Sequence, residues 1–235
     1  MLELKNLTVK TKNKTILKNI DYTFEKGKIY ALMGPNGSGK STLANAIMGH
    51  PSLIIDNNSD ILFENESIKD LSPDKRAKKG IFTSFQSPLS LSGINIYQLL
   101  QNVLDKDIRK IDSEIKELSH QLAIPEGLLH RSLNENASGG ERKKMEVLQA
   151  AMLNPKLVIF DEIDTGVDID AMKTIADFIN KTKQDKTYIL ITHYNRILKH
   201  LTPDRVLILK DGTISETGDA KLAEEIEEKG YGKKG

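Results

Sequence analysis

Gly34-Pro35-Asn36-Gly37-Ser38-Gly39-Lys40-Ser41-Thr42 stands between an apolar run, Ile29 to Met33, and a segment of helical character from Ser41 to Met48. The order is strand, loop, helix, and the loop fits G-x-x-x-x-G-K-[ST]. Three glycines let backbone N–H groups turn inward around a β-phosphate. Lys40 can then reach the β and γ oxygens, and Ser41 offers a hydroxyl to Mg²⁺. The helix N-terminus adds partial positive charge. Ordinary residue usage would produce such a stretch by accident in roughly 1% of chains this long, so the stretch predicts a nucleotide site.

Outside the loop, the composition narrows the class. A chain of 235 residues buries a full core as one large domain or two joined lobes. Its 34 Lys and Arg against 33 Asp and Glu leave a net charge of +1, which supplies no global attraction to nucleic acid or anionic lipid. The absence of cysteine excludes disulfides, thiolate nucleophiles and cysteine-held iron-sulfur clusters on this chain. The N-terminus has no basic region leading into an apolar one, and no apolar run approaches 18 residues. A soluble cytoplasmic protein is expected.

Leu2 to Val9 and Ile16 to Phe24 alternate apolar and polar residues and read as antiparallel strands that wall one side of the nucleotide. Ile61-Leu62-Phe63 begins a short hairpin, with Asn65 at positive φ. Ser72 is the expected N-cap, and Pro73 the first residue, of a helix whose Lys75, Arg76, Lys78 and Lys79 read as a solvated face. Ile81 to Phe85 reads as a strand ending at Gln86. From about Ile94 to His130 the chain reads helical, with Ile108, Ile111, Ile115, Leu118 and Leu122 forming a stripe that packs within a small helical lobe. Residues Ile169 to Thr182 and Ala220 to Lys229 are further expected helices. The four histidines at 50, 120, 130 and 200 have no metal-like spacing.

Two more stretches carry chemistry. Ser138-Gly139-Gly140 precedes a helix and can cap it or hold an anion. Leu157 to Phe160 reads as a buried strand running into Asp161-Glu162, and Thr187 to Ile191 as another running into Thr192-His193. Strand ends of this kind are where α/β sheets bind ligands. By phosphate-loop logic Asp161 holds the Mg²⁺ shell, Glu162 polarises the attacking water and His193 bonds a γ-phosphate oxygen.

In this order the motifs resemble the ATP-binding cassette (ABC) family. Gln86 matches the Q-loop, Ser138-Gly139-Gly140 the signature, Asp161-Glu162 the Walker B end, Asp168 the D-loop and His193 the switch histidine. The resemblance implies an α/β fold: an ABC-type P-loop ATPase with a core lobe (about 1–86 and 154–235), an antiparallel β subdomain and an inserted helical lobe (about 87–153). It implies Mg²⁺ and ATP held by Lys40, Ser41, Gln86 and Asp161, and a head-to-tail homodimer in which each signature serves the other chain's γ-phosphate. Within the family, Gly49-His50-Pro51, Leu71 to Ala77, Phe85 to Pro88, Asp161 to Asp170 and Thr192-His193-Tyr194 resemble the SufC-type ATPase of iron-sulfur cluster assembly. Transporter cassettes usually carry Pro-Thr where this chain has Ile163-Asp164. SufB- and SufD-like scaffold partners, no nucleic acid and no membrane insertion follow from that likeness; the alternative is the ATPase subunit of a membrane transporter. Two departures stand out. Ala137 replaces a larger apolar residue before the signature, and Thr11 aligns where an aromatic ring often meets adenine. Lost stacking, worth roughly 1–3 kcal/mol, predicts weak preference for ATP over GTP.

Overall fold

The computed structural model describes residues 1–84, 90–104, 106–192 and 196–231. Gln86 and His193 therefore lie outside the described residues. Eleven strands and eight α-helices form among those described. In chain order the strands are β1 (Leu2–Lys10), β2 (Thr15–Phe24), β3 (Ile29–Met33), β4 (Ile54–Ile55), β5 (Asp60–Phe63), β6 (Glu66–Ser67), β7 (Ile81–Thr83), β8 (Leu157–Asp161), β9 (Thr187–Ile191), β10 (Arg205–Lys210) and β11 (Thr213–Gly218). The helices are α1 (Lys40–Met48), α2 (Pro73–Lys78), α3 (Ile96–Val103), α4 (Ile108–Gln121), α5 (Glu126–Leu129), α6 (Gly139–Leu153), α7 (Ile169–Thr182) and α8 (Ala220–Lys229).

One sheet has the order β11-β10-β3-β9-β8-β7, parallel except for the β10–β11 hairpin. The strands β3, β8 and β9 are buried at every residue, because a parallel sheet covered on both faces has no solvent side. Side chains alternate between the faces. Leu157 and Ile159 join the cluster around α1, while Val158 and Phe160 join the cluster of α3 to α7. The second sheet is antiparallel, ordered β2-β1-β5-β6, with β4 on β1; its alternating apolar residues fall in the same cluster as α1. The phosphate-loop helix is thus packed between the two sheets.

The β10–β11 turn has Asp211 and Gly212 both at positive φ, as a two-residue hairpin needs. At the β5–β6 turn Glu64 joins the expected Asn65 at positive φ. Four expectations need correction. Ser72 occupies the N-cap position of α2, yet its hydroxyl donates to Asp74 Oδ1 instead of capping a backbone N–H. Strand β7 ends at Thr83, short of the expected Phe85, although the Ser84 N–H still donates to the Ile159 carbonyl at 2.9 Å; Phe85 itself lies outside the described residues. Ile108 is 63% exposed, since it starts α4 beyond the reach of the cluster that buries Ile111, Ile115 and Leu122. Arg76 is 1% exposed, the opposite of a solvated face, for a reason that lies in α1.

Candidate active site

The chemistry-bearing residues gather at the C-terminal ends of three adjacent strands, β3, β9 and β8. Gly34 to Gly39 link β3 to α1, whose first three residues are Lys40, Ser41 and Thr42. Gly34 has φ 153°, and a Cβ there would stand 2.1 Å from the Leu209 carbonyl oxygen and 2.9 Å from Ser38 Oγ, so only glycine fits. The Lys40 ammonium donates to the Gly34 carbonyl at 2.8 Å and the Pro35 carbonyl at 3.0 Å, drawing the loop into a ring. Burial lowers the Lys40 pKa, and the Asp161 and Glu162 carboxylates oppose that shift.

Asp161 closes β8. Its N–H donates to Ser84 Oγ at 2.9 Å. Burial raises its carboxyl pKa; a hydrogen bond from Ser41 opposes that shift, the Glu162 charge adds to it, and Lys143 and Lys40 oppose it. Lys143 itself lies on α6, buried in a 3.2 Å ion pair with Glu146. Glu162 follows with φ 54°, a left-handed conformation unusual for a side chain of its kind, and its N–H donates to the Ile191 carbonyl at 2.9 Å. Asp164, 4% exposed, accepts a 2.7 Å hydrogen bond from Thr192 Oγ1, and burial raises its pKa. That bond ties the stretch after Glu162 to the residue before His193.

Lys14, Ile16, Asn36, Gly37, Gly39, Lys40, Ser41, Thr42 and Glu162 line a cleft of about 570 Å³. Two buried polar atoms beside it have no hydrogen-bond partner among the described residues: Ser38 Oγ, on a residue 4% exposed, and Asp161 Oδ1. With the glycine cradle and the unpaired N–H groups of the first helical turn, they fit a polyphosphate carrying a hydrated divalent cation. The phosphate loop, Asp161 and Glu162 are thus brought together. Ser138, Gly139 and Gly140 are not. Ser138 caps α6, its Oγ accepting the Glu141 N–H at 3.2 Å while Glu141 Oε2 accepts the Ser138 N–H at 2.7 Å. Gly139 and Gly140 abut Gly166 and Asp168 of the α7 approach, away from the cleft. Thr11 also stays out of the cleft wall, its hydroxyl donating to the Lys14 carbonyl in the β1–β2 turn.

Sequence reasoning overlooked Lys14, Ser84 and the backbone of Glu162. Ile16 begins the alternating strand expected to wall the nucleotide, and it lines the cleft. The three overlooked features depend on contacts between distant segments.

A profile of the family described as "ABC transporter" matches residues 17–165. The chain is 43% identical to the "Probable ATP-dependent transporter ycf16" of Pyropia yezoensis, over 98% of this chain and 96% of that one. It is 40% identical to a "Probable ABC transporter ATP-binding protein" of Streptococcus pyogenes serotype M18, over 98% and 93%. Among solved structures, a nucleotide-free ATP-binding cassette from an ABC transporter superimposes with TM-score 0.80 at 25% identity, covering 96% of this chain and 95% of that one. A dimeric cassette in a post-hydrolysis state bound to ADP and Pi does so with TM-score 0.80 at 22% identity, covering 94% and 99%.

Proposed function

The chain belongs to the ABC transporter family of ATP-binding cassettes, which hydrolyse Mg-ATP, and from that premise we propose that it is the SufC-type ATPase of an iron-sulfur cluster assembly complex. One observation carries the reading. Ile163 and Asp164 are both buried where transporter cassettes usually place Pro-Thr, and Asp164 is bonded there to Thr192. The absence of cysteine fits a motor whose clusters are built on other chains. Those chains would be SufB- and SufD-like scaffold proteins in the cytoplasm, and no described helix is long and apolar enough to cross a membrane. The transporter reading is favoured by the names of the relatives above. It shares the same cleft and differs in what docks on an apolar groove of about 470 Å³ between Met48, Phe82, Val103 and Leu153.

In this reading residues 87–153 form the helical lobe and the remainder the core lobe. Lys40 and the loop N–H groups hold the β- and γ-phosphates. Ser41, Asp161 and Gln86 would hold Mg²⁺, which neutralises charge on the phosphate oxygens. Glu162 accepts the proton of the attacking water, and His193 bonds a γ-phosphate oxygen. Because Ser138, Gly139 and Gly140 lie away from their own chain's cleft, they complete the site of a second copy arranged head to tail. The test is to trap that closed state. The Glu162→Gln protein is recovered from its native cytosol with Mg-ATP and its companions are identified by mass spectrometry. Soluble SufB- and SufD-like proteins are the expected result; a polytopic membrane protein in their place would establish the transporter reading.

A further inference from the structure

The far end of the cleft has a chemistry of its own. Phosphates seated on Gly37 to Thr42, with Glu162 beside them, leave Ile16, Lys14 and Asn36 as the remaining wall among the described residues, and the Asn36 amide, which both donates and accepts, does not distinguish the bases. A nucleoside carried by those phosphates therefore meets these side chains. None of the described residues lining the cleft is aromatic. Ile16 contributes dispersion contact, which is indifferent to the identity of the base. Lys14 is exposed in the β1–β2 turn, and its ammonium forms no ion pair or hydrogen bond with a described residue. An adjoining hollow of about 150 Å³, bordered by Lys14, Ile16, Gly37, Lys18 and Asp211, gives a ring edge room next to Lys14.

A lysine ammonium donates only. Guanine presents two adjacent acceptors, O6 and N7, whereas adenine pairs its N7 with an N6 donor that opposes a lysine. We infer that Lys14 sets the base preference of this cleft in favour of 6-oxopurine nucleotides, so that the chain hydrolyses GTP at least as readily as ATP. The inference rests on the cassette reading of the cleft and is independent of the partner proteins. The reaction is unchanged: water adds to the γ-phosphorus, the bridging P–O bond breaks, GDP leaves with the electron pair, and the proton of the water passes to Glu162.

The test measures dissociation constants and kcat/KM for Mg-ATP, Mg-GTP and Mg-ITP on the purified chain and on Lys14→Met and Lys14→Arg. Lys14→Met keeps an aliphatic stem and removes the donor. In the native protein GTP and ITP should equal or exceed ATP. Lys14→Met should lower the GTP-to-ATP ratio about tenfold, the loss of one hydrogen bond from a charged donor, with ITP following GTP because it shares O6 and N7. Lys14→Arg should preserve the ratio. A native preference for ATP above about twofold, or a ratio that Lys14→Met leaves within about twofold, overturns the inference. Failure of the native chain to bind any of the three nucleotides would sink the cassette reading of the cleft itself.

Discussion

Arg76 shows what one residue can do when its surroundings are supplied by distant parts of the chain. Its Nη1 donates to the Ala46 and Ile47 carbonyls at 2.8 Å, its Nε to Leu71 and its Nη2 to Lys69, at 2.9 and 2.7 Å. The last turn of α1 leaves carbonyls without helical partners, and a planar guanidinium with several fixed donors satisfies them as a lysine ammonium cannot. Burial drives its pKa down to about 10, with the Asp70 carboxylate opposing, so the group stays charged at neutral pH. Arg76→Met should cost about 3–5 kcal/mol in urea denaturation, because several buried acceptors lose their donor. Arg76→Lys should recover less than half, and a loss below about 1 kcal/mol would show that water replaces the guanidinium. Asp161 works in the opposite sense. Its pKa is raised by burial, so the folded chain resists its ionisation; that penalty is absent below the ordinary carboxylate range and complete above the raised value. Asp161→Asn should therefore raise the melting temperature of the nucleotide-free chain at neutral pH, leave it unchanged near pH 3, and weaken Mg-ATP binding. A lower melting temperature at neutral pH would contradict the electrostatic argument.

At the scale of elements, the start of α6 is a cap and a contact at once. The reciprocal pair of Ser138 and Glu141 satisfies two N–H groups, so Ser138→Ala should cost about 1 kcal/mol. Gly139 is there because α6 touches the loop before α7: a Cβ would lie 2.2 Å from the Gly166 carbonyl oxygen. Gly139→Ala must push the two segments apart, and thermal denaturation should find it more destabilising than Ser138→Ala. An equal or smaller loss would mean that the Gly166 segment yields freely. Helix α4 follows the same logic of placement. Its stripe was legible from spacing, while the exposure of Ile108 was decided by where the helix begins relative to α3 and α6.

For the whole molecule, a signature stretch that takes no part in the lining of its own chain's cleft predicts a second copy. With Mg-ATP, Glu162→Gln should double in mass by light scattering and lose about 10² to 10⁴ in turnover, the range for a lost general base. Lys40→Ala should remain monomeric under the same conditions, because the phosphates lose their main counter-charge. Unchanged single-turnover hydrolysis by Glu162→Gln would remove it from the proton-accepting role.

Much of this was legible in the order of residues. The phosphate loop, the runs of β3, β8 and β9, the span of α7 and the carboxylates after β8 are local patterns, in which apolar periodicity and glycine spacing constrain the backbone over a few residues. The tertiary structure alone decided that Arg76 is buried, that Glu162 adopts φ 54°, that Ser84 supports Asp161, and that Lys14 joins Ile16 in the cleft wall while Thr11 is excluded. Each of these depends on groups that meet only when sheets and helices close around α1, and no spacing along the chain encodes a contact between segments whose distance is set by packing.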